Sequence, residues 1–166
     1  MRTSQLRKIP FTIPDPESPD HYFVVRNAIE ALEAGRLELF GFCERHAVSA
    51  EAVNRLEVIF EELVSNAIRH GFSIGSAQSV HVRATAKPGL IEVTFEDDGR
   101  RFNPMGQPKP APFTSLSEAR LGGLGVALTL RLASSVRYEA PPVAGKVAAG
   151  RFRPRNRTIV TVSTAP

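Results

Sequence analysis

L-E-V-I-F-E-E-L-V-S-N-A-I-R-H-G, residues 56–71, has the period of a helix with one apolar face. Leu56, Ile59, Phe60, Leu63, Val64, Ala67 and Ile68 fall on one broad stripe, and Glu61, Ser65 and Arg69 are expected on the solvent side. Glu62, Asn66 and His70, spaced i, i+4, i+8, stack along one edge of the stripe. At roughly 100° per residue they lie about 140°, 100° and 60° from the stripe centre, so the row drifts inward towards its C-terminal end. A carboxylate, an amide and an imidazole in such a row can reach one ligand together. Alone, the row equally fits border polars satisfied by water and neighbouring backbone. Ser49 offers an N-cap with Glu51 in the first turn, and Gly71 a stop.

Downstream, Val80, Val82 and Ala84 alternate with His81, Arg83 and Thr85, the pattern of a half-buried strand. Pro88-Gly89 makes a hairpin turn into a second strand, Leu90 to Glu96, with Ile91, Val93 and Phe95 on one face. Upstream, Leu6 to Ile13 reads as an edge strand. A helix from about Asp20 to Cys43 is expected to carry Phe23, Val24, Ala28, Ile29 and Leu32. After the hairpin comes a proline-rich loop, 103–121, of a length that suits a lid. A helix from Leu124 to about Ser134, a strand from Ser135 to Glu139, an Ala/Gly/Pro loop from Pro141 and a strand from Thr158 to Ser163 complete the chain.

The length of 166 residues suits one domain, 1–166, with 42% apolar and 23% charged residues. No apolar run reaches the roughly 18 residues that a membrane span needs. The basic N-terminus lacks the apolar core of a secretory signal, and the single Cys43 excludes an internal disulfide. A cytoplasmic address is expected. The net charge of +4 is too diffuse for a dedicated nucleic-acid binder. Its one dense run, Arg151, Arg153, Arg155 and Arg157, suits a solvated strand edge as well as a phosphate or partner surface.

Two further stretches carry chemistry. Asp97 continues the parity of Ile91, Val93 and Phe95, so the inward face of the strand ends in a carboxylate. Burial makes such a group costly unless a specific donor meets it, whether a ligand or the backbone amides of the D-D-G turn. Gly99 allows close approach of another group. Gly122, Gly123 and Gly125 open a helix, where converging N–H groups favour an anion. Together with residues 56–71 these suggest a nucleotide site. Asn66 can offer Mg²⁺ a carbonyl oxygen, Glu62 is a candidate general base, Asp97 a reader of an amino-bearing base, and the glycines a phosphate cradle.

Glu62-x-x-x-Asn66, Asp97-x-Gly99-x-x-Phe102-Asn103-Pro104 and Gly122-Gly123-Leu124-Gly125 resemble the three boxes of the GHKL ATPase/kinase superfamily. The form at Glu62 to Phe72 is similar to that of its anti-sigma-factor serine/threonine kinase branch. The resemblance implies a Bergerat-type α/β sandwich, an α+β fold with a mixed, mainly antiparallel sheet covered on one face by helices. ATP would lie between helices and sheet under the lid. It further implies that Glu62 activates the acceptor serine, Asn66 holds Mg²⁺, Asp97 and Gly99 receive adenine, and Gly122 to Gly125, including Leu124, meet phosphates. Lys109 or Arg120 of the lid would reach the γ-phosphate. The implied partners are a STAS-type anti-anti-sigma protein, phosphorylated on serine, and a sigma factor, with the kinase a homodimer. Membrane and direct nucleic-acid contacts are not expected. Two other readings share the fold: a module that uses ATP only to set its conformation, and an ATP-binding domain working with a histidine-kinase-type system.

Overall fold

A computed structural model of the chain describes residues 18–103, 106, 124–141 and 152–164. In chain order it contains strand β1 (Asp20–Arg26), helices α1 (Ala31–Arg45) and α2 (Ala50–Asn66), strands β2 (Ser79–Lys87) and β3 (Leu90–Asp97), helix α3 (Leu124–Leu132), and strands β4 (Ser135–Glu139) and β5 (Asn156–Ser163). A single π turn, Ala67–Gly71, continues α2. The five strands form one sheet in the order β1-β2-β3-β5-β4. Every described pairing is antiparallel.

Period-two alternation decides which side of each strand is covered. Val82, Ala84, Val93, Val160 and Val162 are fully buried beneath Leu39 and Phe42 of α1 and Leu56, Ile59, Phe60 and Val64 of α2. Each Val, Leu, Ile or Phe among them contributes about 1.5–3 kcal/mol when fully buried. The helices therefore lie on one face, giving the α+β sandwich. The opposite face carries exposed Tyr22 and Val24. There Arg157 of the basic run pairs across strands with Glu96 at 2.7 Å and Glu139 at 3.1 Å. Among the described residues no helix is long and apolar enough to cross a membrane.

The hairpin runs as the sequence indicates, with Gly89 at φ +74° in its turn. Ser49 caps α2, its Oγ accepting from the Ala52 N–H at 3.3 Å. The segment 20–26 is a strand, not the start of a helix. Its His21, Phe23 and Val25 point inward while Val24 is 44% exposed, a period of two that the stripe drawn through Phe23, Val24 and Ala28 missed. The helix begins only at Ala31. Ser65 is buried rather than solvent-facing, and its hydroxyl donates to the Glu62 carbonyl at 3.4 Å. β5 begins at Asn156, two residues before the expected start. The expected strand at Leu6 to Ile13 and most of the 103–121 and 142–151 segments lie outside the described residues.

Gly35 lies where α1 crosses β1 and α2. A Cβ there would come within 2.7 Å of Val25 Cγ2 and 2.8 Å of Phe60 Cζ. Gly35→Ala is expected to destabilise by about 1–3 kcal/mol through overpacking, less up to about 1 kcal/mol regained in helix propensity. Denaturant unfolding checks this, and a variant as stable as the parent would contradict the close crossing.

Candidate functional site

The C-terminal end of α2 and the turn after β3 meet over Gly99. The i→i+5 bond from the Phe72 N–H to the Ala67 carbonyl, 2.9 Å, closes the π turn, a device frequent at functional sites. The Gly71 carbonyl then accepts from the Arg100 N–H at 2.9 Å. A Cβ at Gly99 would come within 2.9 Å of that carbonyl and of Asp97 Oδ1, and 3.0 Å of the Phe72 ring. Only glycine allows this approach.

Between α2 and the sheet opens a cavity of about 290 Å³, at the small end of ligand pockets. Leu63, Asn66, Ala67 and His70 form its helical wall. Val80 of β2, Phe95 and Asp97 of β3, and Asn156 and Thr158 of β5 form its floor. Arg100, Arg101 and Phe102 stand at the turn after β3, and Val126 comes from α3. The walls are largely apolar, with a few polar groups converging from both layers.

Asp97 is the carboxylate at the end of this floor. Its Oδ1 accepts from the Gly99 N–H at 2.9 Å and from Asn156 Nδ2 at 2.8 Å. Among the described residues no donor is bonded to Oδ2, which leaves that oxygen for a ligand. Burial raises the Asp97 pKa above the ordinary carboxylate value, and the bonds from Asn156 and Gly99 pull it part of the way back. A carboxylate so held suits a neutral donor such as an exocyclic amine. Across the cavity the Asn66 amide can supply one hard oxygen to a divalent cation. No group of three or more His, Cys, Asp or Glu among the described residues could hold a metal. A cation beside Asn66 can take further ligands from water and substrate, the habit of Mg²⁺ with phosphates.

A family model described as the histidine kinase-like ATPase domain matches residues 25–149. The chain belongs to the histidine kinase-like ATPase family. Its likenesses fall in the anti-sigma kinase branch that the three boxes imply. The serine-protein kinase RsbW of Listeria monocytogenes is 28% identical over 112 residues, covering 65% of this chain and 71% of that protein. The anti-sigma F factor of Bacillus subtilis is 20% identical over 110 residues, covering 66% of this chain and 75% of that protein. A solved structure of the RsbU and RsbW domains of Rv1364c from Mycobacterium tuberculosis has the same fold, with a TM-score of 0.55 at 18% identity. That match covers 88% of this chain, which spans only 32% of the other.

Within this histidine kinase-like ATPase domain the row read on α2 divides. Asn66 and His70 line the cavity, His70 at its exposed rim rather than in the core. Glu62, about 6 Å farther along the helix axis, does not line it. It packs instead against the first turn of α3, where a Cβ on Gly125 would overlap its carboxylate and come within 2.8 Å of its Cδ. Asp97 and Gly99 come together as expected, and Leu124 and Gly125 open α3. Gly122, Gly123, Lys109 and Arg120 lie outside the described residues.

Asn156 and Thr158 are pocket residues that the sequence reading passed over. Both are nearly buried, at 5% and 7% exposure. Their signal is parity: Asn156, Thr158, Val160 and Val162 alternate inward, so the buried face of β5 extends back into the basic run. The backbone of that run is tied to the site too, the Arg155 N–H donating to the Asp97 carbonyl at 2.7 Å.

Proposed function

We propose that this chain is an ATP-dependent protein serine kinase of the anti-sigma type, which phosphorylates a STAS-type anti-anti-sigma protein and holds a sigma factor when that partner is absent. The observation that carries the reading is the convergence of Asn66 and Asp97 on one cavity, with Glu62 held against the glycine that opens α3. Family membership and the names of the relatives support the same direction.

In this reading adenine enters the apolar end of the cavity and its amino group donates to Asp97 Oδ2. The phosphates run along α2 towards the first turn of α3, the positive end of its helix dipole. Asn66 would hold Mg²⁺ through its amide oxygen, and the ion, when bound with ATP, would supply charge neutralisation on the phosphates. Glu62 accepts the proton of an incoming serine hydroxyl as that oxygen bonds to the γ-phosphorus. The bond from the γ-phosphorus to the bridging oxygen breaks, and ADP leaves with that oxygen. Sequestration of a sigma factor, a homodimer and the 103–121 lid belong to the same proposal.

Gly125 offers a test that separates chemistry from folding. The atom its Cβ would displace is the end of a flexible side chain, so Gly125→Ala is expected to keep its thermal stability within about 1 kcal/mol, since alanine also favours the helix. Displacing Glu62 is expected to slow transfer by about 10²-fold. The proposal itself is tested by incubating the protein with Mg²⁺, γ-labelled ATP and a STAS-type protein from the same source. Label on a serine of that protein is expected. Tight ATP binding without transfer to any such protein would favour a module that uses ATP only for conformation.

A further inference from the structure

Asn156 lies beyond the residues that the family model matches, in a stretch otherwise remarkable only for arginine. Its buried amide is fully occupied. Nδ2 donates to Asp97 Oδ1 and to the Arg100 carbonyl, both at 2.8 Å. Oδ1 accepts from the Phe102 N–H at 2.9 Å and from the Tyr138 hydroxyl at 2.8 Å. Two donors and two lone pairs is the whole capacity of an asparagine side chain. The network also fixes which way the amide faces. Turned over, its oxygen would meet the Asp97 carboxylate and the Arg100 carbonyl, both acceptors, and its NH₂ would meet the Phe102 N–H. One side chain thus ties the end of β3, the turn at the mouth of the cavity and β4 to the first residue of β5.

We propose that Asn156 is the positioning residue that sets base selectivity in this pocket, by fixing Asp97 so that Oδ2 is presented as a hydrogen-bond acceptor. The inference rests on the nucleotide reading above. With Oδ1 engaged by two donors, an ionised Asp97 has only an acceptor to offer a ligand. A base with an exocyclic amine satisfies it, and a base with a carbonyl at that position sets two acceptors against each other. Loss of the Asn156 bond both frees the carboxylate to rotate and favours its protonated form. Protonated, Asp97 can donate to a carbonyl, and discrimination falls. Among the described residues, the charged and titratable groups around Asp97 are Asp98 beside it, Arg100 and Arg101 at the mouth, His70 on the π turn and Tyr138 on β4, with Arg155 meeting it through its backbone. Of these groups only Tyr138 loses a side-chain bond when Asn156 is changed, and burial raises its pKa further above the range tested, so the variant and its parent share the remaining contributions to a pH profile.

The test measures the affinities of ATP and inosine triphosphate, which carries a carbonyl where adenine carries its amine, at pH 6, 7 and 8. The parent is expected to prefer ATP by at least about tenfold. In Asn156→Ala that preference is expected to fall at least about fivefold at pH 7, and further at pH 6 than at pH 8. Tyr138→Phe removes one bond from the amide oxygen and leaves Asp97 untouched; a smaller fall of the same sign, about twofold, is expected. It decides the matter if Asn156→Ala does not fold. An unchanged preference in the folded variants overturns the role of Asn156 and leaves the ATP pocket standing, as does a parent that binds both nucleotides equally. A parent that binds neither nucleotide overturns the nucleotide reading itself.

Discussion

Glu62→Gln is expected to cut phosphoryl transfer by about 10²–10⁴-fold while leaving ATP affinity within about threefold of the parent. Glutamine keeps the size and packing of the side chain but cannot take up the proton released by the attacking serine hydroxyl. Glu62 does not line the cavity that would hold the base, so the binding free energy from that end should survive. Single-turnover transfer to a STAS-type protein, run beside equilibrium titration with ATP, separates the two quantities. Transfer at the parental rate would show that another group takes the proton. A loss of ATP affinity as large as the loss of rate would place Glu62 in binding, not in proton transfer.

Asp97→Asn should have opposite effects on binding and stability. Asparagine can keep its oxygen on the Gly99 and Asn156 donors, but its NH₂ then faces the pocket where the carboxylate presented an acceptor. Two donors confront each other when adenine arrives, and a fall in ATP affinity of about 10–100-fold is expected. Stability should move the other way. Burial raises the Asp97 pKa, so the folded chain binds this proton more tightly than the unfolded chain. Stability therefore declines as pH rises from the ordinary carboxylate value of 3.8 through the folded value, and the ionised group is a cost at neutral pH. Asp97→Asn removes that cost, and the variant is expected to melt at or above the temperature of the parent at pH 7. The advantage should shrink as the pH is lowered towards 3.8. Thermal unfolding of both proteins across that range measures it. A variant that melts lower at pH 7 and binds ATP as before would contradict both halves.

Such a trade is common where a site keeps a buried charge for recognition. It also shows which features the sequence could reveal. The α2 stripe, its Ser49 cap, the hairpin from β2 to β3 and the parity of Asp97 are local patterns, fixed by residues within a few positions of one another, and they fold as read. β1 was hidden because Phe23, Val24, Ala28, Ile29 and Leu32 happen to suit a helical stripe, whereas its strand character comes from pairing with β2, Asp20 facing Thr85 and Arg26 facing Ser79. The helical wheel alone points Ser65 to solvent, because it cannot register which neighbouring elements pack on that side of α2. Asn156 depends on Asp97, 59 residues away in sequence. Only the register of β3 against β5 sets the two opposite each other. The π turn has no compositional signal in A-I-R-H-G, and it brings the Gly71 carbonyl to the Arg100 N–H.

A crystal structure of the protein with Mg²⁺ and a non-hydrolysable ATP analogue tests the site most directly. The adenine amino nitrogen is expected within hydrogen-bond distance of Asp97 Oδ2, about 2.7–3.2 Å, with Asn156 still donating to Oδ1 and the phosphates directed along α2 towards Gly125. A base seated away from Asp97, or phosphates on the far side of the sheet, would contradict the site as a whole.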